Sequence, residues 1–267
     1  MTMGLPKILA SDEFETRTTG RMRLIVRRDG GDDIAQALTT AENCTPVQRA
    51  ERGALRSFPW MADRRGLVRV CHRGGFIACL VKDRYLLVNR PGREFAAHRQ
   101  VEQRGLPVPR VLGVLWERHG PWVNGALATE LLPGPDLLAW LLAHSSEEPL
   151  PECDRMMQDV GRLVRDMHEH GVWHADLQVR NVVVAGGLPH LIDLDHAVVG
   201  AVPGRIQRGR NLLRFRRSLQ KNGLPESCFS AFLAGYGDPA GAGIPAWLDK
   251  AYQFRGIFSE RLRGKKT

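Results

Sequence analysis

Apolar and polar positions alternate along the chain with helix-like or strand-like periods, and the most regular stretch precedes Gly171. Apolar residues recur there at intervals of three and four, with charged residues between them: Met156, Val160, Leu163, Val164 and Met167. This spacing places the apolar side chains on one face of a helix. It predicts an amphipathic helix from about residue 152 to residue 170, ended by Gly171.

Two short apolar runs follow this helix and are separated by a pair of glycines. The first run is 182–184, the glycines are Gly186 and Gly187, and the second run is 188–192. Short runs rich in β-branched or apolar residues with a glycine turn between them are typical of a hairpin. We therefore expect two antiparallel strands here.

The pattern upstream predicts two further strands and two further helices. Strands are expected at 66–70 and 128–132, and a helix at 93–104. The breakers at 133–135 are followed by Asp136, which has the side chain preferred at a helix N-cap. A second helix is therefore expected to begin after Asp136.

The polar residues around the hairpin carry the chemistry. In the catalytic loop of protein kinases, an Asp that accepts the substrate hydroxyl proton lies two residues after a His and five before a metal-binding Asn. His174, Asp176 and Asn181 have this spacing. Asp193 falls at the end of the second hairpin strand, where kinases place their metal-binding Asp. The pattern predicts Asp176 as the catalytic residue, with Asn181 and Asp193 as oxygen ligands of Mg²⁺.

Two neighbours of these residues, His174 and Asp195, lie beside the predicted catalytic set. His174 is expected to be structural within the loop. Asp195 stands where the protein-kinase motif has a glycine. It would either add a contact at the metal site or cap a loop, and the sequence leaves both interpretations open.

The nucleotide-binding elements of a kinase are only partly present. No complete glycine-rich loop occurs, and Gly53 is the best candidate for its glycine. The strand at 66–70 carries Arg69 where kinases place the lysine that contacts the α- and β-phosphates. A guanidinium group also binds phosphate, so Arg69 is preferred, with Lys82 as the rival. The acidic partner of this cation is expected to be Glu94, with Glu102 as the alternative.

The segment from Glu130 to Leu132 occupies the position of a kinase hinge. Its backbone groups are expected to bind adenine, although an ordinary strand and turn would have the same sequence. We therefore include Glu130 and Leu132 among the candidate nucleotide-binding residues.

Length and composition are consistent with one two-lobed α+β kinase domain. The chain has 267 residues and is 43% hydrophobic, enough for a sizeable core. We divide it into an N-terminal extension of uncertain structure (1–45), an N-terminal nucleotide-binding lobe (46–128) and a C-terminal catalytic lobe (129–267). No signal peptide or membrane-spanning window is evident. The five cysteines lack paired metal-ligand spacing, which indicates reduced thiols.

The formal net charge of +9 is concentrated after the catalytic motifs. Between Val198 and Pro225 there are seven basic residues and no Asp or Glu. Part of this stretch predicts a basic amphipathic helix whose Arg214, Arg216 and Arg217 would face an anionic partner. Anionic lipid, a phosphorylated sugar and nucleic acid all fit such a face, and so does plain solvent.

Several of these segments resemble the lipopolysaccharide kinases, most closely the 3-deoxy-D-manno-octulosonic acid (Kdo) kinases of Gram-negative bacteria. The resemblance covers roughly Arg52 to Leu219 and rests on the following segments: 73–75, 105–109, 171–177, 191–195, 211–214 and 217–219. It implies a protein-kinase-like fold and ATP-dependent phosphorylation of a Kdo hydroxyl on a lipid A precursor. It further implies a peripheral position at the cytoplasmic side of the bacterial inner membrane, with no nucleic-acid partner.

Three other functions stay open at this point. A heptose kinase of the lipopolysaccharide core would use the same chemistry on a neighbouring sugar. A kinase of small cationic molecules would need an acidic acceptor pocket, which the basic surface disfavours. A non-enzymatic pseudokinase is disfavoured because Asp176, Asn181 and Asp193 are all present.

Overall fold

The computed structural model describes residues 12–47, 55–71, 89–119, 122–144, 151–195, 197–238, 244–245 and 247. The chain divides into two compact units. The N-terminal unit contains residues 1–102 and 109–131, and the C-terminal unit contains residues 103–108 and 132–267.

The N-terminal unit is built on an antiparallel sheet of seven strands in the order β1-β2-β6-β7-β5-β4-β3. Its strands are β1 (Phe14–Thr19), β2 (Met22–Arg27), β3 (Thr45–Pro46), β4 (Leu55–Trp60), β5 (Arg64–Cys71), β6 (Val111–His119) and β7 (Trp122–Glu130). Its helices are α1 (Gly31–Thr39) and α2 (Arg90–Gln103), whose last residue belongs to the other unit, and a 3₁₀ turn lies at Ala41–Asn43.

Helices cover both faces of this sheet, which explains the continuous apolar run in β2. Leu24 and Val26 join the core that includes Ile34 of α1. Ile25, between them, belongs to a second core with Phe95 of α2. Because successive strand residues point to opposite faces, a strand buried on both sides needs apolar residues at every position.

Residues 12–45, predicted only as an extension of uncertain structure, contribute β1, β2 and α1 to this unit. The guanidinium groups of Arg27 and Arg99 lie 5.4 Å and 5.3 Å from the ring centroid of Phe14. Arg99 also forms an ion pair with Glu13 at 2.7 Å. These contacts attach the edge strand β1 to β2 and α2.

The C-terminal unit is mainly helical. Its helices are α3 (Leu137–Ala143), α4 (Pro151–Glu169), α5 (Arg205–Lys221) and α6 (Glu226–Tyr236). The short strands β9 (Val182–Ala185) and β10 (Leu188–Leu191) form one hairpin, and β8 (Val172–Trp173) pairs with β11 (Val198–Val199). The helix and the hairpin predicted around Gly171 are thus confirmed as α4, β9 and β10.

Close packing of α4 against α6 depends on two glycines. A Cβ added at Gly161 would overlap the carbonyl oxygen of Phe232, and one added at Gly235 would overlap that of Gln158. The two backbones therefore approach more closely than side chains would allow.

The N-cap predicted at Asp136 is present at the start of α3, since the Asp136 carboxylate accepts a hydrogen bond from the Ala139 N–H at 2.8 Å.

Candidate active site

The loop of residues 174–181 connects β8 to β9, and the buried His174 fixes its start. Its Nδ1 accepts a hydrogen bond from the Asp176 N–H at 3.1 Å, so Nε2 carries the ring proton and donates to the Ile192 carbonyl at 3.1 Å. Burial lowers the pKa of His174, which favours this neutral form. The imidazole thus ties Asp176 to the residue that precedes Asp193.

Asn181, at the other end of the loop, also connects Asp176 to Ile192. Its Nδ2 donates to the Asp176 carbonyl at 2.8 Å, and its own carbonyl accepts the Ile192 N–H at 3.0 Å. A backbone carbonyl only accepts, so the orientation of the Asn181 amide is fixed and its Oδ1 points away from Asp176 O. The amide oxygen is the ligand that a hard cation would use.

Asp193 follows the hairpin with a backbone φ of 60°, in the left-handed region. Among the described residues, only one other non-glycine residue, Met61, has a positive φ. A positive φ is uncommon for residues other than glycine, and Asp adopts it more readily than most. Backbone outliers of this kind concentrate at functional sites. Asp195 lies half-buried in the turn that follows, and its role stays a prediction.

Helix α5 adds a residue to this site that sequence reasoning had placed elsewhere. Nη1 of Arg214 lies 2.7 Å from Oδ1 of Asp176. The predicted partner surface therefore contains a side chain that contacts Asp176, the predicted catalytic residue. No sequence signal links the two, because they are separated by 38 residues and lie in different elements.

The other two arginines of the predicted basic surface have different surroundings. Arg216 pairs with Glu226 at 2.8 Å, and its guanidinium lies 5.4 Å from the ring centroid of Phe229. Arg217 is half-buried. The structure thus divides the three residues among different environments. The helix itself is amphipathic as predicted, with Leu212, Phe215 and Leu219 buried.

A buried hydrogen-bond network holds α5 against the loop of residues 174–181. Asn211 Nδ2 donates to the His174 carbonyl at 2.6 Å, and Asn211 Oδ1 lies 3.0 Å from His168 Nε2. That oxygen must accept, so Nε2 of His168 carries the ring proton and Nδ1 accepts from the Tyr236 hydroxyl at 2.9 Å. Burial lowers the pKa of His168 to about 4. Every polar atom of this network has a partner while His168 is neutral.

In the N-terminal unit, Arg69 on β5 forms an ion pair with the buried Glu94 on α2. Oε2 of Glu94 is buried and has no hydrogen-bond partner among the described residues. The alternative acid, Glu102, contacts Arg99 and Arg27 instead. The pairing expected for a kinase is therefore present, while contact of Arg69 with phosphates stays a prediction.

The remaining residues expected to bind the nucleotide are Gly53, Lys82, Glu130 and Leu132. Gly53 and Lys82 lie outside the described residues. Glu130 ends β7, and its N–H donates to the Arg110 carbonyl at 2.8 Å. Leu132 lies half-exposed just after the strand. Binding of adenine by Glu130 and Leu132 stays a prediction.

The donor set of the C-terminal unit fits a magnesium ion. In the described part of the chain, no group of three or more His, Cys, Asp or Glu side chains could hold a metal. The expected set is instead one amide oxygen, from Asn181, and one carboxylate, from Asp193. Mg²⁺ is commonly bound through one or two carboxylates, with water and substrate phosphates completing its octahedral shell. These two ligands suit an ion that arrives with a nucleotide.

Comparisons with known proteins agree with this chemistry. The model of the lipopolysaccharide kinase (Kdo/WaaP) family matches residues 41–236. A 3-deoxy-D-manno-octulosonic acid kinase of Xylella fastidiosa (strain M12) is 32% identical over 188 residues, covering 67% of this chain and 71% of that protein. A protein of the same name from Xanthomonas campestris pv. campestris (strain B100) is 33% identical with the same coverage.

A solved structure, described as WaaP in complex with acyl carrier protein, is similar with a TM-score of 0.56. It covers 82% of this chain and 90% of its own, at 21% sequence identity. The predicted α+β, two-lobed protein-kinase-like fold is thereby confirmed. Among the described residues, no helix combines the length and apolarity needed to cross a bilayer.

Proposed function

The chain belongs to the lipopolysaccharide kinase (Kdo/WaaP) family and is a phosphotransferase, and we propose that it phosphorylates a Kdo hydroxyl of a lipid A precursor. ATP is the proposed phosphoryl donor and Mg²⁺ the proposed metal. The observation that carries this proposal is the loop in which His174, Asp176 and Asn181 are hydrogen-bonded to one another or to Ile192, next to Asp193.

Within this proposal, Asp176 orients the acceptor hydroxyl and accepts its proton. Transition states of phosphoryl transfer are loose, so the position of the nucleophile matters more than formation of an alkoxide. His174 and Asn181 hold the backbone on either side of Asp176. A magnesium ion bound by Asn181 and Asp193 would neutralise charge on the phosphates.

Most of the proposed nucleotide contacts lie in the N-terminal unit, whereas Leu132 belongs to the C-terminal unit. Arg69 is permanently charged and is oriented by Glu94. A guanidinium group can donate two parallel hydrogen bonds to a phosphate. We assign it the electrostatic role of the missing strand lysine, with Gly53, Glu130 and Leu132 as further nucleotide contacts.

Peripheral association with the cytoplasmic face of the inner membrane is part of the same proposal. Exposed Val198, Val202 and Ile206 lie close in sequence to exposed Arg205 and Arg210. Apolar side chains flanked by cations are typical of surfaces that enter the interface of an anionic bilayer. A lipid-linked acceptor with phosphate and carboxylate groups also suits the +9 charge, and we propose no nucleic-acid partner.

The decisive experiment compares two acceptors with the purified protein, Mg²⁺ and ATP. One is a Kdo-bearing lipid A precursor and the other a heptosylated core, and mass spectrometry locates the added phosphate. We expect a gain of one phosphate on Kdo. Phosphorylation of heptose alone would assign the enzyme to the neighbouring sugar, and binding of ATP without transfer to either would contradict the proposal.

A further inference from the structure

We propose that Arg214 is a positioning residue of the phosphoryl-transfer reaction, which acts by holding the carboxylate of Asp176. The inference rests on the proposed role of Asp176 as the group that orients the acceptor hydroxyl. In this role Arg214 belongs to the catalytic centre, although it lies on the basic face of α5.

Three side chains on one face of α5 bind three points of the catalytic loop. Asn211, Arg214 and Ser218 are spaced at i, i+3 and i+7, which places them on a common helix face. Asn211 donates to the His174 carbonyl at 2.6 Å. Arg214 contacts Asp176 Oδ1 at 2.7 Å, and Ser218 Oγ accepts the Val179 N–H at 3.0 Å.

The two outer contacts fix the position of the middle one. Asn211 and Ser218 are 1% and 7% exposed, so their hydrogen bonds are shielded from water. Leu212 and Phe215, beside Arg214 in sequence, are buried in the core. The backbone of Arg214 therefore cannot move relative to the loop without breaking buried contacts, although its side chain is 43% exposed.

A held carboxylate differs functionally from a mobile one. The terminal torsion of an Asp side chain is broad, so the carboxylate has no strong intrinsic orientation. A charge-assisted hydrogen bond restricts it. Because the guanidinium group stays protonated at every working pH, this restraint persists whenever Asp176 is ionised. Orientation of the nucleophile is what a loose transition state requires from this residue.

Two other roles for Arg214 predict different kinetics. An exposed ion pair can contribute almost nothing, in which case its removal has no kinetic consequence. Arg214 can also bind an anionic group of the acceptor directly. Its removal would then raise the KM for the acceptor, whether or not Asp176 is intact.

A double-mutant cycle with Arg214→Ala, Asp176→Asn and the double variant separates these roles. We expect Arg214→Ala to lower kcat by about tenfold while the KM for ATP changes by less than about twofold. In the Asp176→Asn background the same change should have almost no further effect, because the restrained group is already lost. Arg214→Lys, or guanidinium ion added to Arg214→Ala, should restore part of kcat.

Lys221→Ala is the matched control, since Lys221 is exposed two turns later on the same helix. It removes an equal charge and should leave kcat unchanged. Equal circular dichroism spectra and melting temperatures would show that each variant is folded. A full tenfold loss from Arg214→Ala in the Asp176→Asn background, an effect confined to the acceptor KM, or no loss in wild-type background would each overturn the inference.

The acceptor assay and this cycle can fail independently. If the wild type transfers phosphate to heptose, the cycle is measured with heptose as the acceptor. It then tests the role of Arg214 in the same way. If it transfers to no sugar, the proposed function fails, and the cycle is measured as acceptor-free ATP hydrolysis, where Asp176 would orient water instead. If Arg214→Ala and Asp176→Asn lower the rate of ATP hydrolysis additively, the proposed role of Arg214 is overturned by that result alone.

Discussion

Replacing Asn211 by Ala should destabilise the C-terminal unit strongly, because Asn211 satisfies two buried polar groups at once. The His174 carbonyl receives its Nδ2 hydrogen bond, and His168 Nε2 donates to its Oδ1. His174 is 1% exposed and His168 is 0% exposed. Bulk water therefore does not reach these two groups while the unit is folded.

The magnitude follows from the cost of leaving buried polar groups unpaired. Each such group costs about 1–3 kcal/mol, so two groups together cost about 4 kcal/mol. This is a large share of the 5–15 kcal/mol by which domains are typically stable. We expect a folded variant at low temperature whose C-terminal unit unfolds far more easily.

Hydrogen exchange of the α4 amides, followed by mass spectrometry, measures this loss locally because it reports the opening free energy of individual segments. Asn222→Ala is the matched control. Its Nδ2 donates to the Ser218 carbonyl at 2.7 Å, but the residue is only half-buried at the end of α5. We expect a loss below about 1 kcal/mol there. An equally small loss for Asn211→Ala would refute the claim that the network is dry and indispensable.

Four further outcomes are expected. Asp176→Asn should lower turnover by about 100-fold or more with nucleotide binding retained, whereas Asp193→Asn should also weaken binding of Mg·ATP, as titration calorimetry would show. Arg69→Ala should raise the KM for ATP more than Lys82→Ala does, and the reverse order would identify the lysine as the phosphate contact. Because burial lowers the pKa of His168 from 6.5 to about 4, the unfolded state binds its proton first as pH falls. The contribution of His168 to the free energy of unfolding is complete above about pH 6.5 and declines toward pH 4. At pH 5.5 the free energy of unfolding is lower by about 1.4 kcal/mol. His168→Gln should flatten this part of the stability–pH curve. Wild-type turnover in folded Asp176→Asn would contradict the central assignment.

Sequence reasoning succeeded where the information is local. The intervals of three and four before Gly171 specify α4 because a helix face repeats at that period. The turn between β9 and β10 is similarly encoded by Gly186 and Gly187, both of which have positive φ. The spacing of His174, Asp176 and Asn181 is local too, since all three belong to one loop.

Sheet neighbours could not be derived in this way. β2 pairs with β6 across more than eighty residues, and β5 pairs with β7. An apolar strand specifies that it is buried but not which strand lies beside it. The residues before position 46 were therefore left without a place, although α1 and β2 form much of the N-terminal core.

The different surroundings of the three arginines could not be derived from the sequence for a different reason. Counting charge treats Arg214, Arg216 and Arg217 as equivalent, but successive residues on a helix are separated by about 100°. Arg214 and Arg216 thus point in directions about 200° apart. One contacts Asp176, while the other contacts Glu226 on α6. Only the helix geometry, combined with the buried positions of Leu212 and Phe215, distinguishes these environments.

The backbone of Asp193 provides an argument against a non-catalytic protein that is independent of the family match. In the left-handed region glycine has no Cβ penalty, whereas Asp, which tolerates this region better than most residues, still incurs part of it. Stability alone would therefore favour glycine at this position. The chain instead keeps a strained carboxylate beside Ile192, which is bonded to both His174 and Asn181. A carboxylate in this conformation beside a hydrogen-bonded loop is expected where the carboxylate itself is needed, and binding of the proposed metal ion is such a need.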